Sequence, residues 1–182
     1  THRTAETVAE YLKCSAGDVL VCSTGLIGER LPMQKIVAGI ASASAQLQND
    51  RAENLAQAIM TTDSHEKYIE HEFKGVRFFA MAKGAGMLAP SLATMLSVIA
   101  SDAKIDFDAT EILQDVASQT FDRIDSDGCM STNDTVSLLV SGASGITLTQ
   151  EEFKAQLLLC AAYLAKELIS DAEGHTKIVE IT

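Results

Sequence analysis

The sequence lacks tryptophan altogether, aromatic residues make up only 5% of its 182 residues, and it holds just two prolines and four cysteines. Two prolines with 11 glycines exclude collagen-like or linker-rich material. Positive charge is also scarce. Fourteen basic side chains stand against 25 acidic ones, the net charge is −11, and no basic run occurs anywhere. Phosphate backbones and anionic membrane surfaces are gripped by clustered Lys and Arg, so neither nucleic acid nor a membrane is an expected partner. Long apolar runs are missing as well. Val98-Ile99-Ala100 is representative, far below the ~18 residues of a membrane span. No charged-then-apolar leader opens the chain, so no signal peptide is expected and a cytoplasmic location is. Cys14, Cys22, Cys129 and Cys160 form no C-x-x-C pair, and no His stands at zinc spacing from them. Buried free thiols are expected, and no metal site.

What is present suits one domain, or most of one, with 47% hydrophobic residues to build a core. Residues 4–14 carry Val8, Tyr11 and Leu12 at helical spacing. Asp18–Thr24 is a β-branched run that reads as a buried strand entering a loop. Pro32 opens a helix with Met33, Ile36, Val37 and Ile40 on one face, and a further helix is expected over about Asp50–Met60. Residues 67–73 and 76–81 read as two strands around the tight turn Lys74-Gly75. Lys83–Pro90, with two glycines and a proline, cannot be regular structure. Thr94–Ala100 is expected as a strand, and Thr135–Val140 as another.

Asp108-Ala-Thr-Glu111 and Thr149-Gln-Glu-Glu152 each read as a capping box, opening helices to Phe121 and to about Ser170. His175–Thr182 alternates like a strand and stops without a turn or cap, as expected of a piece of a longer chain. Helices and strands mixed in this order imply an α/β fold, an α+β layered sandwich of sheets covered by helices.

Several short patterns do not survive a physical check. Arg123–Asp134 has an EF-hand glycine, but Arg123 in the first ligand position and Asp134 in the twelfth deprive calcium of its opening carboxylate and bidentate Glu. Gly84-x-Gly86-x-x-Ala89 looks like a dinucleotide fingerprint, yet Pro90 and the short apolar run leave little room for a crossover helix and second strand. His2, His65, His71 and His175 share no metal or triad spacing, so a surface or strand-edge role is expected for each. Thr1 precedes a helix and reads as a chain boundary rather than a terminal nucleophile.

Six further motifs occur in order: Cys22-Ser-Thr-Gly-Leu-Ile-Gly-Glu29, Ala58-Ile-Met-Thr-Thr-Asp63, Met81–Pro90, Ala93-Thr-Met-Leu96, Ser131-Thr-Asn-Asp-Thr135 and Asp171-Ala-Glu-Gly-His-Thr-Lys177. Taken singly, each has a plain explanation. Thr94 would be a core hydroxyl, Thr24-Gly25 a strand-end turn, Lys83 a solvated charge and Glu173 a loop carboxylate. Together, over essentially the whole chain, the set resembles the ornithine acetyltransferase (glutamate N-acetyltransferase) family of arginine biosynthesis.

That resemblance implies a self-processing acyltransferase with an N-terminal threonine nucleophile. Cleavage would fall between Ala93 and Thr94. Residues 1–93 would then be the C-terminal part of the family's alpha subunit, and residues 94–182 the N-terminal part of its beta subunit, together one globular unit. A threonine hydroxyl needs a base, and cleavage creates an α-amine on the same residue, with an unperturbed pKa of about 7.7–8.0. The acetyl group would pass from N-acetylornithine to Thr94 and then to glutamate. By family position, the Thr24 hydroxyl and Gly25 N–H are oxyanion donors, Lys83 meets the substrate carboxylate and Glu173 its ammonium end. Thr61 is the expected polar contact in the Thr-Thr-Asp motif, with Thr62 an alternative. Ser131–Asp134 reads as a structural turn. No cofactor is expected, although acetyl-CoA is a conceivable donor substrate, and the cleavage products are expected to assemble as a heterotetramer. The alternatives are a self-cleaving aminopeptidase or amidase of related mechanism, and an inactive fragment.

Overall fold

A computed structural model describes residues 1–26, 28–47, 52–88, 95–129 and 131–181. The chain divides into two units, Thr1–Arg51 and Ala52–Thr182. In the first, α1 (His2–Leu12) packs against α2 (Met33–Ser44). The first helix stops two residues earlier than its apolar spacing suggests. Lys13 turns left-handed at φ 59°, and the Cys14 N–H closes back on the Ala9 carbonyl at 3.2 Å.

No strand forms over residues 18–24. Asp18 is drawn into a short 3-10 turn, Ala16–Asp18, in which the Gly17 N–H donates to the Ser15 hydroxyl and the Ser15 N–H to the Asp18 carboxylate, and Leu20 is 70% exposed. A strand exists only by pairing, and among the described residues none lies alongside this run. The same reason corrects residues 175–181, which form no strand and leave Ile178, Val179 and Ile181 exposed.

The second unit holds α3 (Ala52–Ala58), β1 (Lys67–Phe73), β2 (Val76–Lys83), β3 (Leu96–Ser101), α4 (Thr110–Gln119), β4 (Thr135–Val140) and α5 (Gln150–Ser170). The sheet order is β1-β2-β3-β4, with β1–β2 and β2–β3 antiparallel and β3–β4 parallel. This mixed sheet with helices packed on it is the α/β architecture expected. Lys74 (φ 53°) and Gly75 (φ 80°) supply the two left-handed residues of the β1–β2 hairpin. β2 and β3 pair antiparallel, whereas a dinucleotide fingerprint at Gly84 requires a parallel pair.

Alternation along β2 puts Val76, Phe78, Ala80 and Ala82 on one buried face. Against them pack Phe153, Leu157, Cys160, Ala161, Leu164 and Leu168 of α5 and Ile112 and Val116 of α4. Phe153 is the hub, with ring centroids 6.0 Å from Phe78 and 5.9 Å from Phe107. Truncating such a ring to alanine typically costs about 3–5 kcal/mol.

The Thr149 capping box forms in full. Its hydroxyl accepts from Glu152 N–H at 3.2 Å, and Glu152 accepts from Thr149 N–H at 3.1 Å. The Asp108 box does not. Asp108 Oδ1 is taken by the backbone and hydroxyl of Thr110, at 2.8 and 2.6 Å, and helix α4 starts two residues beyond it without a side-chain cap. The cysteines also differ from expectation. All four are free, but only Cys160 is buried, while Cys14, Cys22 and Cys129 are exposed.

Candidate functional site

Strand register brings one end of all four strands together. Lys67, the first residue of β1, lies opposite Ala82; Lys83, the last of β2, lies opposite Leu96, the first of β3; and Leu96 lies beside Thr135, the first of β4. Described residues of three of the six motifs, Lys83, Leu96 and Thr135, therefore meet at this edge, and the Ala58–Asp63 and Asp171–Lys177 motifs join them through Asp63 and Asp171 at Lys67.

The base of the edge is a buried charge network. Lys67 Nζ, fully buried, donates to Asp63 Oδ1 at 2.7 Å and to Asp171 Oδ2 at 2.6 Å. Asp63 Oδ1 also accepts from Gly84 N–H at 2.7 Å, and its Oδ2 from Thr61 N–H at 3.0 Å. Asp171 accepts from the Ser64 N–H at 2.9 Å and from the Ser64 hydroxyl. Burial pushes both carboxyls up, but hydrogen bonds from Gly84, Lys67 and Thr61 outweigh it at Asp63, and those from Lys67 and Ser64 outweigh it at Asp171. Both end below the usual carboxylate range. The network ties the Thr-Thr-Asp motif, the residue after Lys83 and the segment leading to Glu173 into one rigid piece.

Lys83 is only 1% exposed, so it is not the solvated charge that its residue type suggests. Burial lowers its pKa, and the charges of Asp63 and Asp134 oppose that shift. Asp134 is shifted the other way. Burial raises its carboxyl above the usual range despite hydrogen bonds from Met95 and Ser131. Asp134 Oδ1 accepts from Met95 N–H at 2.8 Å and from the Ser131 hydroxyl at 3.1 Å. Asn133 N–H in turn donates to Ser131 Oγ at 3.2 Å. The 131–134 turn thus makes the local bonds expected of it and also reaches across to the start of β3.

The loop after Lys83 is held from two sides. Met87, left-handed at φ 57°, donates its N–H to Asp127 Oδ2 at 2.8 Å, and the Leu88 carbonyl accepts from the Ser126 hydroxyl at 3.1 Å. The carboxylates of the false EF-hand are therefore engaged by backbone: Asp125 accepts from Gly128 N–H and Asp127 from Cys129 N–H, each at 3.0 Å. On the other side, Glu173 N–H donates to the Ala85 carbonyl, and a Cβ placed on Gly86 would lie 3.0 Å from Glu173 Oε2. Glycine at 86 lets this exposed carboxylate sit directly on the loop backbone.

The structure thus brings together Thr61, Lys83 and Glu173. Thr61 is exposed, and its backbone N–H, not its hydroxyl, makes the bond to Asp63. Ala93 and Thr94 lie outside the described residues; the first described residue after them is Met95. Thr24 and Gly25 belong to the first unit, where Thr24 is half-buried and Gly25 exposed. A Cβ on Gly25 would approach the Leu31 side chain to 3.3 Å.

Lys67 and Asp134 were not legible as site residues. A lysine opening a strand and an aspartate in a turn carry no local signal that they will be buried. Among the described residues no group of three His, Cys, Asp or Glu side chains could hold a metal ion, and no helix is long and apolar enough to cross a membrane.

Comparison with known proteins agrees with the motif reading. The family model described as ArgJ family matches residues 1–182. The chain is 50% identical to the arginine biosynthesis bifunctional protein ArgJ of Thermobifida fusca (strain YX), over 98% of this chain and 47% of that protein. It is 51% identical to the protein of the same name from Streptomyces avermitilis, over 100% of this chain and 48% of that protein. The chain spans about half the length of the curated relatives it matches. With a family match over every residue, and with motifs that converge on one sheet edge, this chain belongs to the ArgJ family.

Proposed function

We propose that this chain is the part of an arginine-biosynthesis acetyltransferase that carries its self-cleavage site and nucleophile, moving the acetyl group from N-acetylornithine to glutamate. The observation that carries the reading is the sheet edge at which Lys83, the start of β3 and Glu173 meet. Lys83 ends β2 opposite the start of β3, and Glu173 lies on the loop that follows Lys83, so one cationic and one anionic residue stand at this edge, which suits an amino acid with a carboxylate at one end and an ammonium at the other.

The chemistry has two stages. In the precursor, the Thr94 hydroxyl attacks the Ala93 carbonyl, the Ala93–Thr94 amide breaks, and water releases the Ala93 carboxylate, leaving Thr94 with a free amine and hydroxyl. In turnover, that amine takes the hydroxyl proton as Oγ1 bonds to the acetyl carbon of N-acetylornithine. The acetyl C–N bond breaks and the proton passes to the departing ornithine amine. The glutamate amine then attacks the threonine ester, releasing N-acetylglutamate and restoring the hydroxyl. The Thr24 hydroxyl and Gly25 N–H stabilise the oxyanion in both half-reactions; losing one such donor typically costs about 10²–10³ in rate. Lys83, stripped of water, holds the substrate carboxylate, and Glu173 its far ammonium. The two cleavage products assemble as a heterotetramer in the cytoplasm, and no cofactor takes part.

Intact-mass spectrometry of the protein expressed from its complete reading frame tests this reading. Two fragments parting between residues 93 and 94 are expected, with a mass gain of one acetyl group on the later fragment when N-acetylornithine is added alone. Thr94→Ala should be uncut and inactive. An uncut wild type that still transfers acetyl groups overturns the mechanism, and hydrolysis of N-acetylornithine without transfer to glutamate overturns the activity in favour of an amidase. Replacing the donor with acetyl-CoA decides whether the same acyl-threonine forms from it.

A further inference from the structure

The two oxygens of Asp171 have different partners. Oδ2 accepts from the buried Lys67 Nζ at 2.6 Å, whereas Oδ1 accepts from the Ser64 hydroxyl and lies 3.8 Å from His65 Nδ1. The partly exposed His65 ring joins this second oxygen to α5. Its Nδ1 is 3.1 Å from Ser64 Oγ, and its Nε2 is 3.2 Å from Glu167 Oε2 on the last turn of the helix.

These partners fix where the ring's protons sit. A hydroxyl has one proton to give, and Ser64 gives it to Asp171, so toward His65 it only accepts. The Glu167 carboxylate, when ionised, also only accepts. Both ring nitrogens therefore face acceptors, and only the imidazolium donates from both. Charge points the same way. Among the described residues Asp63, Asp171 and Glu167 bring three carboxylates to one ammonium, that of Lys67, so a second cation is favoured here. The neighbouring titratable groups do not supply it. Burial raises Tyr163 of α5, and Glu167 and Tyr68 of β1 raise it further, so it stays neutral. His175 bonds through Nδ1 to the Ala172 carbonyl instead.

We propose that His65 is a positioning residue for Glu173: as an imidazolium it ties the last turn of α5 to the Ser64–Asp171 bond, and so fixes the segment that lays Glu173 on the loop after Lys83. This rests on the proposed function, in which Glu173 meets the ammonium of N-acetylornithine. The link is short. Asp171 is two residues before Glu173, Ala172 between them is buried, and the Glu173 N–H donates to the Ala85 carbonyl. When the ring loses a proton to solvent, one nitrogen turns a lone pair toward an oxygen lone pair, and the bond to Ser64 or to Glu167 is lost. Lys67 still holds Oδ2, so the segment loosens without detaching. Affinity for the ammonium end then falls across the range in which histidines change charge, about pH 5 to 8.

Steady-state kinetics of the protein from its complete reading frame test this. KM for N-acetylornithine should rise about threefold from about pH 6 to about pH 8, the scale of a partly exposed ion pair. KM for glutamate, which has no side-chain ammonium, should show no such step. His65→Gln, uncharged throughout, should have the higher KM for N-acetylornithine at every pH. His65→Lys, charged throughout, should keep the low KM at about pH 8. Both variants should be cut before Thr94 and match the wild-type kcat at each pH, since neither touches the nucleophile.

A KM that is flat with pH in wild type overturns the role of His65. So does a step that persists in both variants, which would belong to another group such as Lys83. A His65→Lys variant with the raised KM of His65→Gln overturns it too, because the ring's shape and not its charge would then matter. A wild type that turns over no N-acetylornithine overturns the proposed function and this inference with it.

Discussion

Lys67 Nζ lies 2.6 Å from Asp171 Oδ2, joining the first residue of β1 to the residue that follows α5, 104 positions away. With Asp63 on its other side, this one ammonium pairs with two carboxylates that each hold a separate piece of the candidate site. Its value lies less in the ion pairs themselves than in what its loss would expose.

Lys67→Met tests that statement. Removing one partner of a buried pair leaves uncompensated charge, at a cost of about 3–5 kcal/mol. Urea unfolding should show a fall of that order, and substrate affinity should drop because Gly84 and the Asp171–Glu173 segment lose their common anchor. A loss below about 1 kcal/mol, the scale of a surface pair, would show that the network is solvated.

The same network sets an acid limit. Asp63 and Asp171 have carboxyls held below the usual range, so their contribution is present above the unfolded pKa of about 3.9. It disappears as pH falls through their lower folded values. Stability should therefore decline below about pH 4. The decline should be shallower in Asp63→Asn and Asp171→Asn, which start less stable at pH 7. Asp134 has the opposite sign, since burial raises its carboxyl; its ionisation opposes folding as pH rises through the acid range, and Asp134→Asn should flatten that part of the curve. Denaturation midpoints from pH 3 to pH 7 measure both slopes.

Gly86→Ala separates loop packing from substrate contact. Among the described residues the added methyl would meet only the far end of the flexible Glu173 side chain, at 3.0 Å, and Gly86 does not adopt a positive φ. Stability should change by less than about 1 kcal/mol, within the range of substitutions that strain neither core nor backbone. Under the proposed function, KM for N-acetylornithine should rise several-fold while cleavage before Thr94 proceeds normally. An unchanged KM would remove Glu173 from the substrate site.

Thiol labelling should split the cysteines three to one. Cys14, Cys22 and Cys129 are exposed. Cys160 is buried beneath the sheet beside His71, and burial pushes its thiol up to about 12, so almost no thiolate is present at neutral pH. Native protein should take up three equivalents of an alkylating reagent promptly and the fourth only on unfolding.

Local rules worked where the interaction was itself local. Thr149 and Glu152 cap α5 because both partners sit within one turn, and Lys74-Gly75 makes a hairpin because its backbone preferences act on the spot. Asp108 failed by the same logic, since Thr110 offers it a closer pair of donors than the helix does. The run at 18–24 failed for a different reason. β-branched residues prefer extended backbone, but a strand also needs a neighbour, and no pattern in the run itself says whether one exists.

The order of motifs, the helix spacing and the β1–β2 hairpin belong to the sequence by itself, because periodicity, turn chemistry and family identity are written in consecutive residues. Tertiary structure alone decided that Lys67 and Lys83 are buried rather than solvated, that Glu173 lies on Gly86, and that Asp134 grips Met95 with one oxygen and leaves the other open. Burial and charge pairing depend on which distant segments the strand register brings side by side, and a lysine or aspartate reads the same in sequence whether it meets water or another charge.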